Sequence, residues 1–153
     1  MPNHPSIIAR PTHTGFHGRY VTNDGHPADR IPQLLHLYHR AYRHDLDAML
    51  DFLIDQHPAG WSQIGTDPTA DCGWINPCPP RGDRGFRCYC HGDRSEPEGL
   101  VTEVTADPLW DEWIYVLRPG GITVTAATPD GGAWLKPEFV AWSDGGGPCI
   151  AAA

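Results

Sequence analysis

Between residues 71 and 93 the chain reads DCGWINPCPPRGDRGFRCYCHGD, which gathers Cys72, Cys78, Cys88, Cys90 and His91 into one short stretch. Thiolates and imidazoles are the usual ligands of a tetrahedral zinc ion, and such a site would pin an irregular segment to a strand. Cys88 and Cys90 stand two apart in a strand-like run, so both sulfurs leave one face and His91 leaves the other. Together with Cys72 and Cys78 they form the candidate metal set, C-x5-C-x9-C-x-C, for a structural Zn2+. The spacing lacks paired C-x-x-C knuckles, and the competing reading is buried thiols used as small apolar side chains. A disulfide framework is disfavoured because the cysteine count, 5, is odd, and Cys88 and Cys90 are too close on an extended strand to bridge easily.

A second constellation lies at strand ends. Asn23-Asp24-Gly25-His26 and His91-Gly92-Asp93 each place Asp and His beside a glycine, and GRYVTNDG faintly echoes RCYCHGD. If the two turns adjoin, Asp24, His26, His91 and Asp93 form a candidate catalytic set for metal binding or acid-base chemistry, since histidine titrates near neutrality. Turn geometry alone also accounts for Asp and Gly at such positions. No Ser-His-Asp spacing, glycine-rich phosphate loop or HExxH pattern accompanies them. His36 and His39 sit three apart and could share a metal, but an arginine-rich helix face is more often simply solvated. Trp110, Trp113, Trp134 and Trp142 read as core or cover; two exposed together would mark a binding surface.

The elements that must position these groups follow from pattern. Asp29 can cap a helix whose face carries Ile31, Leu34, Leu35, Tyr38 and Tyr42, with Pro32 in the first turn. Asp45 can cap a second helix with a stripe of Leu46, Met49, Leu50, Leu53 and Ile54, ended by His57-Pro58. Strand-like runs cover 16–22, 86–90, 100–105, 112–118 and 122–127. EWIYVLR-PGG-ITVTAA is the clearest hairpin, and its first strand is apolar on both faces, as a central strand would be. The segment 133–142 adds an edge strand or a short helix. The expected fold is α+β, an antiparallel β-meander with two short helices packed on one side. Residues 1–15 read as an extended arm, 16–142 as a single domain and 143–153 as a flexible tail.

Length and charge bound the rest. With 153 residues, 40% of them apolar, one domain can bury a core without help from metal or disulfide. A formal net charge of -8 disfavours binding to a nucleic-acid backbone. No signal-peptide h-region or membrane-length apolar run is present, so a soluble, cytoplasmic protein is expected.

The stretches GRYVTNDGHPADRIPQLLHLYHRAYRHDLDAMLDFLIDQHPAGWSQI and RCYCHGDR resemble a family of uncharacterised actinobacterial and phage proteins. That family shows a strand ending in aromatic-Asp-Gly-Tyr-Pro, then two helices and a Gly-Trp-Ser element. The resemblance spans roughly residues 15 to 118 through Asp24-Gly25, Pro27 and Gly60-Trp61-Ser62, with Asn23 and His26 replacing the family's Trp and Tyr. It implies an accessory protein of bacterial or phage origin and no particular reaction. The leading expectation is thus a small binding or regulatory module, with an unknown protein or small-molecule partner and the zinc-pinned loop. The alternatives are a small metal-dependent or acid-base hydrolase, and a phage-type decoy that takes a small nucleotide or host protein through Arg19, Arg87 or Arg94.

Overall fold

A computed structural model describes residues 4–68, 85–89 and 99–143. Among the described residues eight strands form one mixed sheet: β1 (Ser6–Pro11), β2 (Phe16–Val21), β3 (Trp61–Gln63), β4 (Arg87–Cys88), β5 (Leu100–Thr102), β6 (Trp113–Arg118), β7 (Gly121–Ala126) and β8 (Glu138–Ala141). Their spatial order is β4-β3-β2-β1-β6-β7-β8, with β5 also pairing β2. Two helices lie between β2 and β3. The first, α1 (Pro27–His36), continues as a π-helical segment over Leu37–Ala41; the second, α2 (Leu46–Leu50), continues likewise over Asp51–Asp55.

The fold is α+β, but the sheet is not the antiparallel meander that the sequence suggests. β1 runs parallel to β6, with Ile7 opposite Ile114, and β2 runs parallel to β3, with Val21 opposite Trp61. The cause is β1 itself. The residues expected as an arm are extended, but they occupy the centre of the sheet. Ser6, Ile7, Ile8 and Ala9 are all buried, so the strand shows no polar-apolar alternation to read. Its hairpin with β2 closes through the Thr12–Gly15 turn, where Thr12 N donates to Gly15 O at 2.9 Å. Its other edge is then open to receive β6.

Elsewhere local pattern and structure agree. The β6–β7 hairpin turns through Pro119-Gly120, with Arg118 opposite Gly121. β6 is covered on both faces: Tyr115 and Leu117 join the core beneath the helices, while Ile114 and Val116 join Ile7, Ala9 and Phe16 in a second core on the outer face. Val101, Ala106 and Trp134 close over that outer core. Leu34, Leu35, Met49, Leu50, Leu53 and Ile54 supply the helical side of the main core, and Asp45 caps α2 by accepting from Ala48 N at 3.0 Å. Pro32 stands a turn further into α1 than expected, because the helix starts at Pro27 rather than after Asp29. The carbonyl that loses its partner is that of exposed Ala28, where water can replace the missing donor. Trp61 fixes β3 from below: it is fully buried, and its Nε1 donates to Leu53 O at 2.8 Å.

A central β1 has a direct test. Ile7→Ala and Ile8→Ala each cut one core, and each is expected to lower unfolding free energy by about 2–5 kcal/mol. Urea denaturation reads the loss; changes within about 0.5 kcal/mol, as for an exposed arm, are the opposing result.

Candidate functional site

Of the expected catalytic set, the structure describes Asp24 and His26, while His91 and Asp93 lie outside the described residues. Asp24 is exposed and adopts φ 61, a left-handed conformation that Asp tolerates better than most side chains. The turn around it is held almost wholly by backbone. Gly25 N donates to His4 O at 2.7 Å, and the Tyr115 hydroxyl donates to Gly25 O at 2.6 Å. Asn23 N donates to Ser62 O at 3.1 Å, and Asn23 Nδ2 reaches the same carbonyl at 2.9 Å.

Beneath the turn lies Arg30, fully buried. Its Nη2 donates to Asn23 O at 2.7 Å and its Nη1 bonds Gln33 Oε1, while Gln33 Nε2 donates to Ile64 O at 2.8 Å. No carboxylate forms an ion pair with it among the described residues. Burial therefore pushes the guanidinium down to about 10, with Tyr115 and then the charges of Asp24 and Asp29 working the other way. The same burial pushes the Tyr115 phenol up.

His26 has a defined task here. It is the N-cap of α1, and its Nδ1 accepts from Ala28 N at 3.1 Å, which puts the proton of the neutral ring on Nε2. Its ring packs edge-on against Trp113 and His4, with centroids at 5.2 and 5.8 Å, and His4 Nδ1 lies 3.2 Å from Glu112 Oε2. Sequence reasoning missed His4 and Glu112 because they stand 108 residues apart and meet only through the β1–β6 pairing. This group of rings is closely packed on itself.

Of the expected zinc ligands, Cys72, Cys78 and Cys90 lie outside the described residues. Cys88 is buried in the main core, opposite Trp61 in the β3–β4 pair. Among the described residues no group of three or more His, Cys, Asp or Glu is placed to hold a metal ion. For the decoy reading, Arg94 lies outside the described residues and Arg87 is exposed on β4. Arg19 is buried, its Nε donating to Ile54 O at 2.9 Å and its Nη1 to Pro58 O at 3.1 Å. It thus serves the carbonyls at the end of the second helix, a favourable place for a cation.

Two clusters stand out that local pattern did not single out. His39 Nδ1 faces His44 Nε2 at 2.8 Å, and His39 Nε2 donates to Trp142 O at 2.6 Å. On the outer face, the Asp107–Asp111 turn thrusts Leu109 and Trp110 into solvent at 60% and 67% exposure, the opposite of the core or cover role expected of Trp110. Hydrogen bonds fix that turn. Asp107 Oδ1 accepts from Leu109 N and Asp111 Oδ2 accepts from Asp107 N, both at 2.9 Å. Trp110 N and Asp111 N both donate to Asp107 O, at 3.0 and 2.7 Å. Gly131, at φ 71, abuts Leu109 and braces the turn from the side.

No family model, curated protein or solved structure matches this chain. Among the described residues no helix is long and apolar enough to cross a membrane.

The cap gives a sharp prediction for His26. His26→Ala is expected to cost about 1 kcal/mol of stability, while His26→Asn, a strong N-cap residue, restores most of it. Thermal unfolding of the two variants measures this; equal losses in both would show that the ring acts through packing and not through the cap.

Proposed function

We propose that this protein is a non-enzymatic binding module that contacts its partner through the Leu109–Trp110 turn. The observation that supports this most is the combination of exposure and order at that turn. Two large apolar side chains stand in water on a backbone already fixed by four hydrogen bonds. A pre-organised loop loses little conformational freedom on binding, and Trp is among the residues that most often carry interface energy.

The surrounding charge names the partner's chemistry. From residue 99 to 117 the chain carries Glu103, Asp107, Asp111 and Glu112 with no Lys or Arg, and the adjoining turn adds Asp130. Lys136 is the one Lys or Arg between 127 and 137. An apolar knob on acidic ground suits a basic segment of a protein with a hydrophobic socket. A second copy of this chain, at a net charge of -8, does not supply that complement.

Two measurements bear on this reading. Synthetic peptides with Leu or Phe anchors flanked by Lys and Arg are expected to bind the full chain, more weakly as salt rises, and to lose about tenfold or more in affinity with Trp110→Ser or Leu109→Ser. Both variants leave stability within about 0.5 kcal/mol, since the side chains are exposed. Equal binding of peptides flanked by Glu, or binding indifferent to both substitutions, would count against the site.

Asp111 supplies a pH prediction for the same turn. Burial raises its carboxyl above the ordinary value of 3.8, and the neighbouring Asp107 charge adds to this, outweighing the Asp107 backbone hydrogen bond. The folded state then holds that proton more tightly than the unfolded chain does, so the contribution of Asp111 to stability declines as pH rises through the interval above 3.8. Asp111→Asn is expected to flatten this decline in urea titrations across the acidic range.

A further inference from the structure

The helical hairpin carries a chemistry that the binding turn does not use. Arg43 and His44 follow each other at φ 49 and φ 69, both left-handed and neither glycine. Such backbone is strained and persists where the surroundings enforce it. Here His44 N donates to Tyr38 O at 2.7 Å and Asp45 N to Tyr42 O at 2.9 Å, which ends the first helix and brings the His44 ring back over it. That return sets His44 Nε2 2.8 Å from His39 Nδ1.

His39 is oriented by its other nitrogen. Nε2 donates to the Trp142 carbonyl at 2.6 Å, and Trp142 is itself stacked on Tyr38 at 4.0 Å, with its indole N–H donating to Arg118 O at 2.6 Å. An imidazole that gives one N–H to a backbone carbonyl has its tautomer fixed, and its remaining nitrogen presents a bare lone pair; metal-ligating histidines are typically arranged this way. The lone pair at His39 Nδ1 points toward the second imidazole, on an exposed residue.

We propose that His39 Nδ1 and His44 Nε2 form a two-histidine site for a divalent late transition-metal ion of the Ni2+ or Cu2+ type, with water in the other positions. The spacing favours these ions. Metal–nitrogen bonds of about 2.0–2.1 Å at a right angle, as in octahedral or square-planar coordination, place two nitrogens about 2.9 Å apart. The tetrahedral angle of zinc would need about 3.3 Å. To admit the ion, His44 moves its ring proton from Nε2 to Nδ1, so no proton is lost from the pair, and its ring pivots toward the shared ligand position. His39 keeps its bond to Trp142 O. The site uses none of the residues of the candidate zinc set.

Tag-free full-length protein, with its thiols alkylated, can be titrated with Ni2+ by calorimetry. One ion per chain is expected, with affinity falling at least tenfold in His44→Asn and remaining unchanged in His36→Ala. Asn accepts the left-handed backbone at position 44, so this variant keeps the turn while removing the ligand; circular dichroism and thermal unfolding check that it does. Broadening of the His39 and His44 ring resonances by Ni2+, with the other histidines unaffected, gives a second readout. The proposal is overturned if Ni2+ fails to bind, or if it binds the His44→Asn variant as tightly as the parent protein.

Discussion

A positive charge held away from water under the Asn23–His26 turn constrains most of the structure around it. An unpaired, buried guanidinium is costly, and Arg30 offsets part of that cost by donating from Nη2 to the Asn23 carbonyl and from Nη1 to the Gln33 side chain, while its buried Nε has no hydrogen-bond partner among the described residues. Those two acceptors belong to different segments: Asn23 to the turn that follows β2, and Gln33 to the first helix, from which it reaches on to the Ile64 carbonyl beyond β3. One side chain therefore ties the end of β2, the first helix and the strand after the helical hairpin into a fixed arrangement. The Tyr115 hydroxyl brings β6 to the same place through Gly25 O. Arg19 repeats the device at the far end of the hairpin, where it takes up the carbonyls of Ile54 and Pro58.

This arrangement explains why the Asp-Gly-His turn looks so much like a reactive site in sequence. Asp24 is suited to a left-handed backbone, Gly25 leaves room for the His4 carbonyl where a Cβ would collide, and His26 supplies an acceptor to a helix start. Each residue type has a geometric use there. By contrast, the exposure of the Leu109–Trp110 pair and the contact of His39 Nδ1 with His44 Nε2 have no such use.

Local regularities were readable. The stripe from Leu46 to Ile54, the Asp45 cap and the two-faced β6 strand with its hairpin follow from periodicity and turn chemistry, and they stand where those rules place them. What could not be read depends on partners far along the chain. A strand buried on both faces, such as Ser6–Ala9, carries no alternation, and its parallel neighbour lies beyond residue 112, so neither its place nor the mixed character of the sheet has a local signature. The site residues divide in the same way. His26 was visible as a histidine near a turn, but its capping role needed the true helix start at Pro27. His39 was visible only as a member of a basic helix face, and His44 had no part in that pattern. Their contact depends on two consecutive left-handed residues that few sequence rules anticipate for Arg-His. Trp110 was assigned inward on the average behaviour of tryptophan, and the Asp107 and Asp111 side chains that hold it outward act through backbone amides, which composition does not reveal.

The position of β1 bears on how the molecule is made. Its six residues can pair with β2 as soon as the intervening turn is made, yet the opposite edge of the strand has no companion until Trp113–Arg118 has been synthesised. Parallel pairings of such separation are slow to close, because the intervening chain must be gathered before they repay the loss of entropy. Until then an apolar strand edge is open to other chains, so the interval between the two pairings is when the molecule is most prone to wrong partners.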